Sequence, residues 1–352
     1  MKTTLRSITA KAVLLVSSLI LALTVVEVGL RIFYTEERKR SVTYDEDLGW
    51  GGIPFAEGAY VDKEDSTHAR YKFNELGFRD EPISSLSDSS TRIVLLGDSF
   101  VESMEVEYDS TFFRRVGHLL KTGVSKCVDV VNVSSQGYGT AQEILAIDKY
   151  RSKIRPNVVI LVFYTGNDFS DNARKRFATI NNEGKLEFNR QKEHWLRRKY
   201  SWFMSWLYDN SHLVYYVKNV MQSRLNFSWF SNPAATELVA DSKDYERKIT
   251  ELLLLNLRQK MEETETPLGI VIIPQKSEVA GRRPSNPEFV EQVCKTNRIA
   301  CLNLYGKLEP SDFLNVDTHF TLKGHRVVAD LLYAFLVDHF SSFPKSRVTP
   351  HR

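Results

Sequence analysis

Residues 92–100 read RIVLLGDSF, an unbroken apolar run over 93–96 that ends in Gly97, Asp98 and Ser99. The run lacks polar/apolar alternation, so both faces are expected to be buried, as in a central strand of a parallel sheet covered by helices. Such a sheet brings whatever follows its strands to one carboxyl edge, where α/β proteins gather ligands. A serine just beyond the run is well placed to react. Alone, a Gly-Asp-Ser tripeptide is a weak signal, because Asp98 or Ser99 equally suits the cap of the next helix.

Working outward, comparable runs occur at 128–133, 158–163, 268–273 and 299–304. Helical patterns fall between them at 111–120, 140–152, 243–263 and 286–297, and a closing helix is expected over 322–340. Alternating strands and helices predict an α/β domain over 91–343 built on a five-stranded parallel sheet. Residues 36–90, rich in Gly, Asp, Glu and Ser without periodicity, read as a linker and an irregular wrapping segment able to add a few edge strands. The stretch between the third and fourth strands far exceeds one crossover helix and predicts a helical insertion over about 170–242. Its middle, HWLRRKYSWFMSWL at 194–207, continues through Tyr215, Tyr216 and Met221 and is both aromatic and basic. Two readings stand: a helical subdomain packing on the main domain, or a lid or membrane-surface contact. Residues 344–352 are a tail.

At the other end, every residue over 12–26 is apolar or a small hydroxyl. With Gly29, Leu30, Ile32 and Phe33 the stretch reaches the roughly 20 residues that span a bilayer. Glu27 and Arg31 interrupt it, and i,i+4 pairing or snorkelling makes them tolerable. Lys2, Arg6 and Lys11 precede the run and Arg31, Arg38, Lys39 and Arg40 follow it, so basic flanks do not orient it. No small-x-small cleavage site follows, which favours an uncleaved signal anchor over 1–35 to a removed signal peptide and puts the globular part outside the cytoplasm.

The 42% apolar content of the 352 residues supports a large core, and a net charge of +3 supplies no field for gathering nucleic acid. Cys127, Cys294 and Cys301 form no CxxC or Cys/His pattern, so neither a metal nor another cofactor is implied. Cys294 and Cys301 either pair in an oxidising compartment or stay as buried thiols on a helix and the next strand.

Three further blocks carry chemistry. After the second strand comes NVSSQGYG (132–139), in which Gly137 allows a backbone N–H to approach a substrate oxygen or is an ordinary turn glycine. After the third comes YTGND (164–168), in which Asn167 offers a second donor to an oxyanion or caps a helix. Before the last helix comes DTHFT (317–321), with His319 to take a serine proton and Asp317 to hold its tautomer, or else a surface loop. His325, inside the last helix, is expected to pack or face solvent. Asp98 and Asp168 are expected to bond nearby backbone N–H groups rather than complete a triad.

Taken in order, Ser99, Gly137, Asn167 and His319 resemble the four blocks of the SGNH (GDSL) hydrolase superfamily, over residues 70 to 340. The chain looks like its bacterial membrane-anchored branch, in which a segment such as NELGFRD (74–80) precedes the catalytic strand and serves as a structural turn. The resemblance implies a three-layer α/β/α flavodoxin-like sandwich with strand order 2-1-3-4-5. It also implies acylation of Ser99, an oxyanion hole from the N–H groups of Ser99 and Gly137 with the Asn167 amide, and no cofactor. Many members carry the acid three residues before the histidine; here that position is Val316, and Asp317 matches the Asp-x-His variant. The expected substrate is an acylated small molecule or glycan, acetyl above all, met as hydrolase or as O-acyltransferase with a membrane partner as acyl donor. A lysophospholipase or thioesterase is the nearest rival. A non-catalytic scaffold of the same fold is the reading from another class.

Overall fold

The computed structural model describes residues 2–33, 41–61, 68–174, 177–189, 203–204, 206–208, 210–217, 243–281, 285–316 and 318–340. They fall into two compact units, residues 1–40 with 192–235, and residues 41–191 with 236–352.

In the first unit α1 (Lys2–Phe33) is one helix whose stretch over Lys11–Phe33 is long and apolar enough to cross a membrane. Glu27 and Arg31 form the i,i+4 pair expected of them, at 2.8 Å. Glu27 also accepts hydrogen bonds from the N–H groups of His212 and Leu213 and from Ser211 Oγ, each at 2.9 Å. Arg31 donates to the carbonyl of Asn210 at 2.8 Å. A carboxylate thus caps the N–H groups that open the helical stretch 212–217. Residues 210–213 of the insertion are therefore tied to α1.

The second unit opens with two antiparallel hairpins, β1 (Val42–Asp45) with β2 (Gly49–Gly52), and β3 (Glu57–Val61) with β4 (His68–Lys72). Each is a separate two-stranded sheet, so among the described residues the wrapping segment adds no edge strand to the main sheet. The main sheet consists of β5 (Thr91–Gly97), β6 (Val128–Ser134), β7 (Val158–Tyr164), β10 (Leu268–Ile273) and β11 (Ala300–Asn303), all parallel. Its spatial order, β6-β5-β7-β10-β11, is the 2-1-3-4-5 order. Within the insertion, after the short helix Asp168–Asn172, the chain forms a short hairpin, β8 (Ala178–Ile180) with β9 (Leu186–Phe188), rather than continuous helix.

Between the strands run α2 (Ser99–Glu102), α3 (Phe112–Gly123), α4 (Thr140–Ile154), α5 (Asp168–Asn172), α6 (Lys243–Glu263), α7 (Lys276–Val279), α8 (Ser285–Thr296) and the closing α9 (Leu322–His339). Thr111 and Thr321 cap α3 and α9 by accepting from the N–H groups of Arg114 and Gly324. Successive strand side chains point to opposite faces. Ile93, Leu95, Val130, Ile160 and Val271 join Val116 and Leu120 of α3 and Val328 and Leu332 of α9 in one core, while α4 and α6 cover the other face. The sheet sits between two helical layers, as the resemblance implies. Cys294 on α8 and Cys301 on β11 remain thiols, and their mutual hydrogen bond, with burial, pushes the Cys294 thiol up.

The segment 74–80 does more than turn. Asn74 Oδ1 accepts from the N–H groups of Leu76 and Phe78, closing the loop at Gly77. Arg79, fully buried, then donates to the carbonyls of Arg70, Glu102, Ser103 and Val106, with Glu105 and Glu102 nearby to balance its charge. These carbonyls lie around the end of α2, where Ser103 takes a left-handed φ of 52°. Replacing a buried, bonded guanidinium leaves several acceptors and carboxylates uncompensated. Arg79→Met is therefore expected to lose about 3–5 kcal/mol in urea unfolding, and a loss under about 1 kcal/mol would show that the side chain is not holding this corner.

Candidate active site

The turn after β5 sets the serine. Gly97 has no room for a side chain, since a Cβ there would lie 2.4 Å from Val101 Cγ2 and 3.3 Å from the Val162 carbonyl. Asp98 caps α2, its Oδ1 accepting from the Phe100 N–H at 2.9 Å, so Ser99 becomes the first residue of the helix. Register brings the neighbouring blocks to the same edge, Gly97 lying opposite Ser134 of β6 and Leu96 opposite Leu161 of β7. Gly137 follows β6 in the loop before α4, and Asn167 follows β7 as the N-cap of α5.

His319 comes from the opposite end of the domain sequence. The Leu314 N–H donates to the His319 carbonyl at 2.7 Å, and Phe313 bridges Phe320, so the residues before α9 fold into a narrow loop. Thr318 sits at φ 66°, a left-handed conformation uncommon for a β-branched residue, and it is hydrogen-bonded to the hydroxyl of the half-buried Tyr164, whose pKa partial burial pushes up to about 12. The imidazole rests on the Phe100 ring, centroids 4.8 Å apart, and Phe100 in turn packs on Tyr164 and Phe320. The outcome is a distance of 2.8 Å between His319 Nε2 and Ser99 Oγ. With the ring proton on Nδ1, the hydroxyl donates to Nε2, the arrangement a general base requires. Asp317, the expected orienting acid, lies outside the described residues.

Around this pair is a shell of buried carboxyls. Asn167 Nδ2 donates to Asp98 Oδ2 at 3.1 Å and to Asp171 Oδ2 at 2.9 Å, so both amide hydrogens are engaged, while its Oδ1 is buried without a partner. Burial raises Asp98 above the usual carboxylate range, against the opposing pull of the Phe100 N–H and of His319. Burial likewise pushes Asp171 up to about 6, with Arg174 resisting the shift. Glu143 and Asp168, both fully buried, are raised well above their ordinary values by burial and by the charge of Asp98 and Asp171. Asp98 and Asp168 do bond backbone N–H groups, those of Phe100 and Tyr164, as their sequence context suggests. His325 is buried as a packing residue, Nδ1 accepting from the Phe112 N–H at 3.1 Å and Nε2 lying 3.0 Å from Glu105 Oε1. Among the described residues no group of three His, Cys, Asp or Glu is disposed to hold a metal ion.

Sequence reasoning passed over Glu102 and Trp50. Glu102, three residues after the serine, is buried, and its carboxylate takes the Gln136 N–H beside Gly137. Trp50 of β2 donates from Nε1 to the Gln136 carbonyl at 2.9 Å. Only the unusual acid in a short apolar helix and the lone Trp within GWGG (49–52) hinted at them.

The structure has the strand order and block order of the SGNH pattern, with a serine and a histidine in hydrogen-bonding contact at the carboxyl edge of the sheet. No family model matches the chain, and no curated protein matches it. Among solved structures it is similar to the lipase/acylhydrolase from Enterococcus faecalis, at 13% identity over 70% of this chain and 95% of that one, TM-score 0.38. It is also similar to the psychrotrophic esterase EstA from Pseudoalteromonas sp., at 11% identity over 72% and 100% of the two chains, TM-score 0.40. The acetyl xylan esterase AlAXEase is similar at 12% identity over 69% and 98%, TM-score 0.41.

Burial pushes the Glu102 carboxyl up to about 7, opposed mainly by Arg79. A raised acid of this kind contributes stability fully present below its unfolded pKa, 4.5, and lost as pH rises through about 7. Glu102→Gln, which removes the titration and keeps an acceptor for the Gln136 N–H, is expected to match the wild type at pH 4. It should become more stable by an amount on the order of 3 kcal/mol at pH 8. A stability difference that stays constant across this range in denaturant titrations would contradict the assignment.

Proposed function

We propose that this chain is a serine esterase that works through an acyl-enzyme, with Ser99 as nucleophile and His319 as general base. The supporting observation is the 2.8 Å contact between Ser99 Oγ and His319 Nε2. In this reading the hydroxyl loses its proton to Nε2 as it attacks the ester carbonyl, and the imidazolium returns the proton to the leaving alcohol. Water then repeats the sequence to release the acid. The N–H groups of Ser99 and Gly137 face the developing oxyanion, and Asp317 holds the imidazole's tautomer. Asn167 joins them by sharing an amide hydrogen that Asp98 or Asp171 now takes, and protonation of Asp171 near pH 6 loosens that hold.

We place the domain outside the cytoplasm on an uncleaved α1 anchor and assign it O-acyl, chiefly acetyl, esters of a glycan or lipid-linked sugar. Transfer to a sugar hydroxyl uses the same acyl-enzyme, with a membrane partner supplying the acyl group. The bonding of Asn210 through Leu213 to Glu27 and Arg31 favours one second reading, a lipid-ester hydrolase whose aromatic insertion lies at the bilayer surface.

A fluorophosphonate probe tests the core of the proposal on the full chain in detergent. It is expected to label the wild type and not Ser99→Ala, whereas a folded wild type that resists labelling would point to a non-catalytic scaffold. On a short-acyl ester, His319→Ala is expected to lose roughly 10²–10⁴ in kcat. Asn167→Ala should raise the barrier by about 3 kcal/mol. Full turnover in the Ser99→Ala protein would end the assignment. A panel of esters differing in acyl length and sugar content separates acetyl-glycan from lipid substrates.

A further inference from the structure

The Gln136 carbonyl and the Gly137 N–H belong to one peptide group. A trans peptide is planar, so its C=O and N–H point in opposite directions, and whatever fixes one aims the other. Trp50 holds that carbonyl, its indole N–H donating at 2.9 Å. The preceding peptide is held as well, because the Gln136 N–H bonds the carboxylate of Glu102 on the helix that Ser99 begins. Gly137 itself adopts φ 70°, a left-handed conformation natural to glycine, and a Cβ there would come within 3.7 Å of the Trp50 ring.

Trp50 is itself firmly placed. It is buried, its carbonyl accepts from the Tyr138 hydroxyl at 2.7 Å, and its ring packs edge-on to Tyr138 and Phe177. One turn further into α4, Gln142 Nε2 donates to the Leu48 carbonyl at 2.7 Å, and Lys149 pairs with Asp45. The β1–β2 hairpin is thus stapled along the loop between β6 and α4 and along α4 itself. A carbonyl that accepts a hydrogen bond also polarises its own peptide, making the N–H across it a stronger donor.

We infer that Trp50 is a positioning residue for the oxyanion hole: through the Gln136 carbonyl it aims and polarises the Gly137 N–H. This rests on the reading of Ser99 as nucleophile and Gly137 as oxyanion donor. The hairpin that follows the membrane-length helix is then part of the catalytic apparatus rather than a wrapping. The indole touches no reacting atom. Its effect appears only as negative charge develops on the substrate oxygen, so it belongs to the transition state and not to ground-state binding.

Trp50→Phe removes the N–H and keeps the ring. With a short-acyl ester and the full chain in detergent, kcat is expected to fall about tenfold with KM within about twofold, since a whole oxyanion donor is worth roughly 10²–10³. Affinity for a boronic acid that forms a tetrahedral adduct on Ser99 should fall by the same factor. Lys185→Met, which breaks only an exposed pair with Glu183 in the turn between β8 and β9, should leave both unchanged. Unaltered kcat and boronate affinity in a folded Trp50→Phe protein, or a rise in KM alone, would overturn the inference. If Ser99→Ala is dead while Trp50→Phe is unaffected, only this inference fails; if Ser99→Ala stays active, the underlying reading fails first. Should the Phe variant not fold, the unmutated protein still decides. On boronate binding the indole N–H resonance of Trp50 is expected to shift together with the Gly137 amide, and an indole resonance that stays put overturns the proposal.

Discussion

The guanidinium of Arg79, shut away from water and shared among four backbone carbonyls, is the constraint on which the edge of the sheet around Ser99 depends. A helix of only four residues has almost no cooperative stability of its own. What keeps α2 in place is the cap at its start, Asp98, and the Arg79 contacts at its end. Between those two fixed points sits Ser99. Asp80, next in sequence, extends the clamp to the neighbouring strand by accepting from the Asn132 N–H and the Tyr108 hydroxyl. The segment before the sheet therefore locks β6 and α2 together.

Electrostatics at the site follow from that packing. Asp98, Glu143, Asp168 and Asp171 are all buried behind the serine, with Arg174 as the cation paired to Asp171. Burial disfavours their ionised forms, and each carboxylate makes the next harder to ionise. Asp98 is the carboxyl that His319 pulls back toward ionisation, against its burial. The shell also dictates how Asn167 lies: carboxyls on two sides require the amide NH₂ to face them, which keeps the side chain rigid.

The N-terminal helix and the aromatic insertion solve one another's polar problem. A carboxylate inside an apolar helix is costly unless bonded. Glu27 meets Arg31 along the helix and the N–H groups of His212 and Leu213 from the insertion. Those N–H groups in turn gain the acceptor that a helix start needs. Phe203 and Trp206, stacked and about half exposed, lie in the same unit.

Much of this was legible in the residue string, and the rest was not, for one physical reason. Strand runs such as 158–163 announce themselves because burial on both faces demands continuous apolar side chains, and the observed limits, Val158–Tyr164, differ by a single residue. The blocks around Ser99, Gly137, Asn167 and His319 are equally local, each a few residues long at a strand or helix end. The hairpin within the insertion was missed because short half-buried strands leave a faint period. Arg79, Glu102 and Trp50 could not be read from the string. Each acts on a backbone group of a segment distant in sequence or on the far side of a turn, and a backbone acceptor carries no side-chain signature. The sequence by itself determined the sheet and the chemical groups brought to its edge. Tertiary structure alone decided which buried donors and acceptors hold them there, because satisfying a carbonyl depends on where the chain returns in space, not on what the neighbouring residue is.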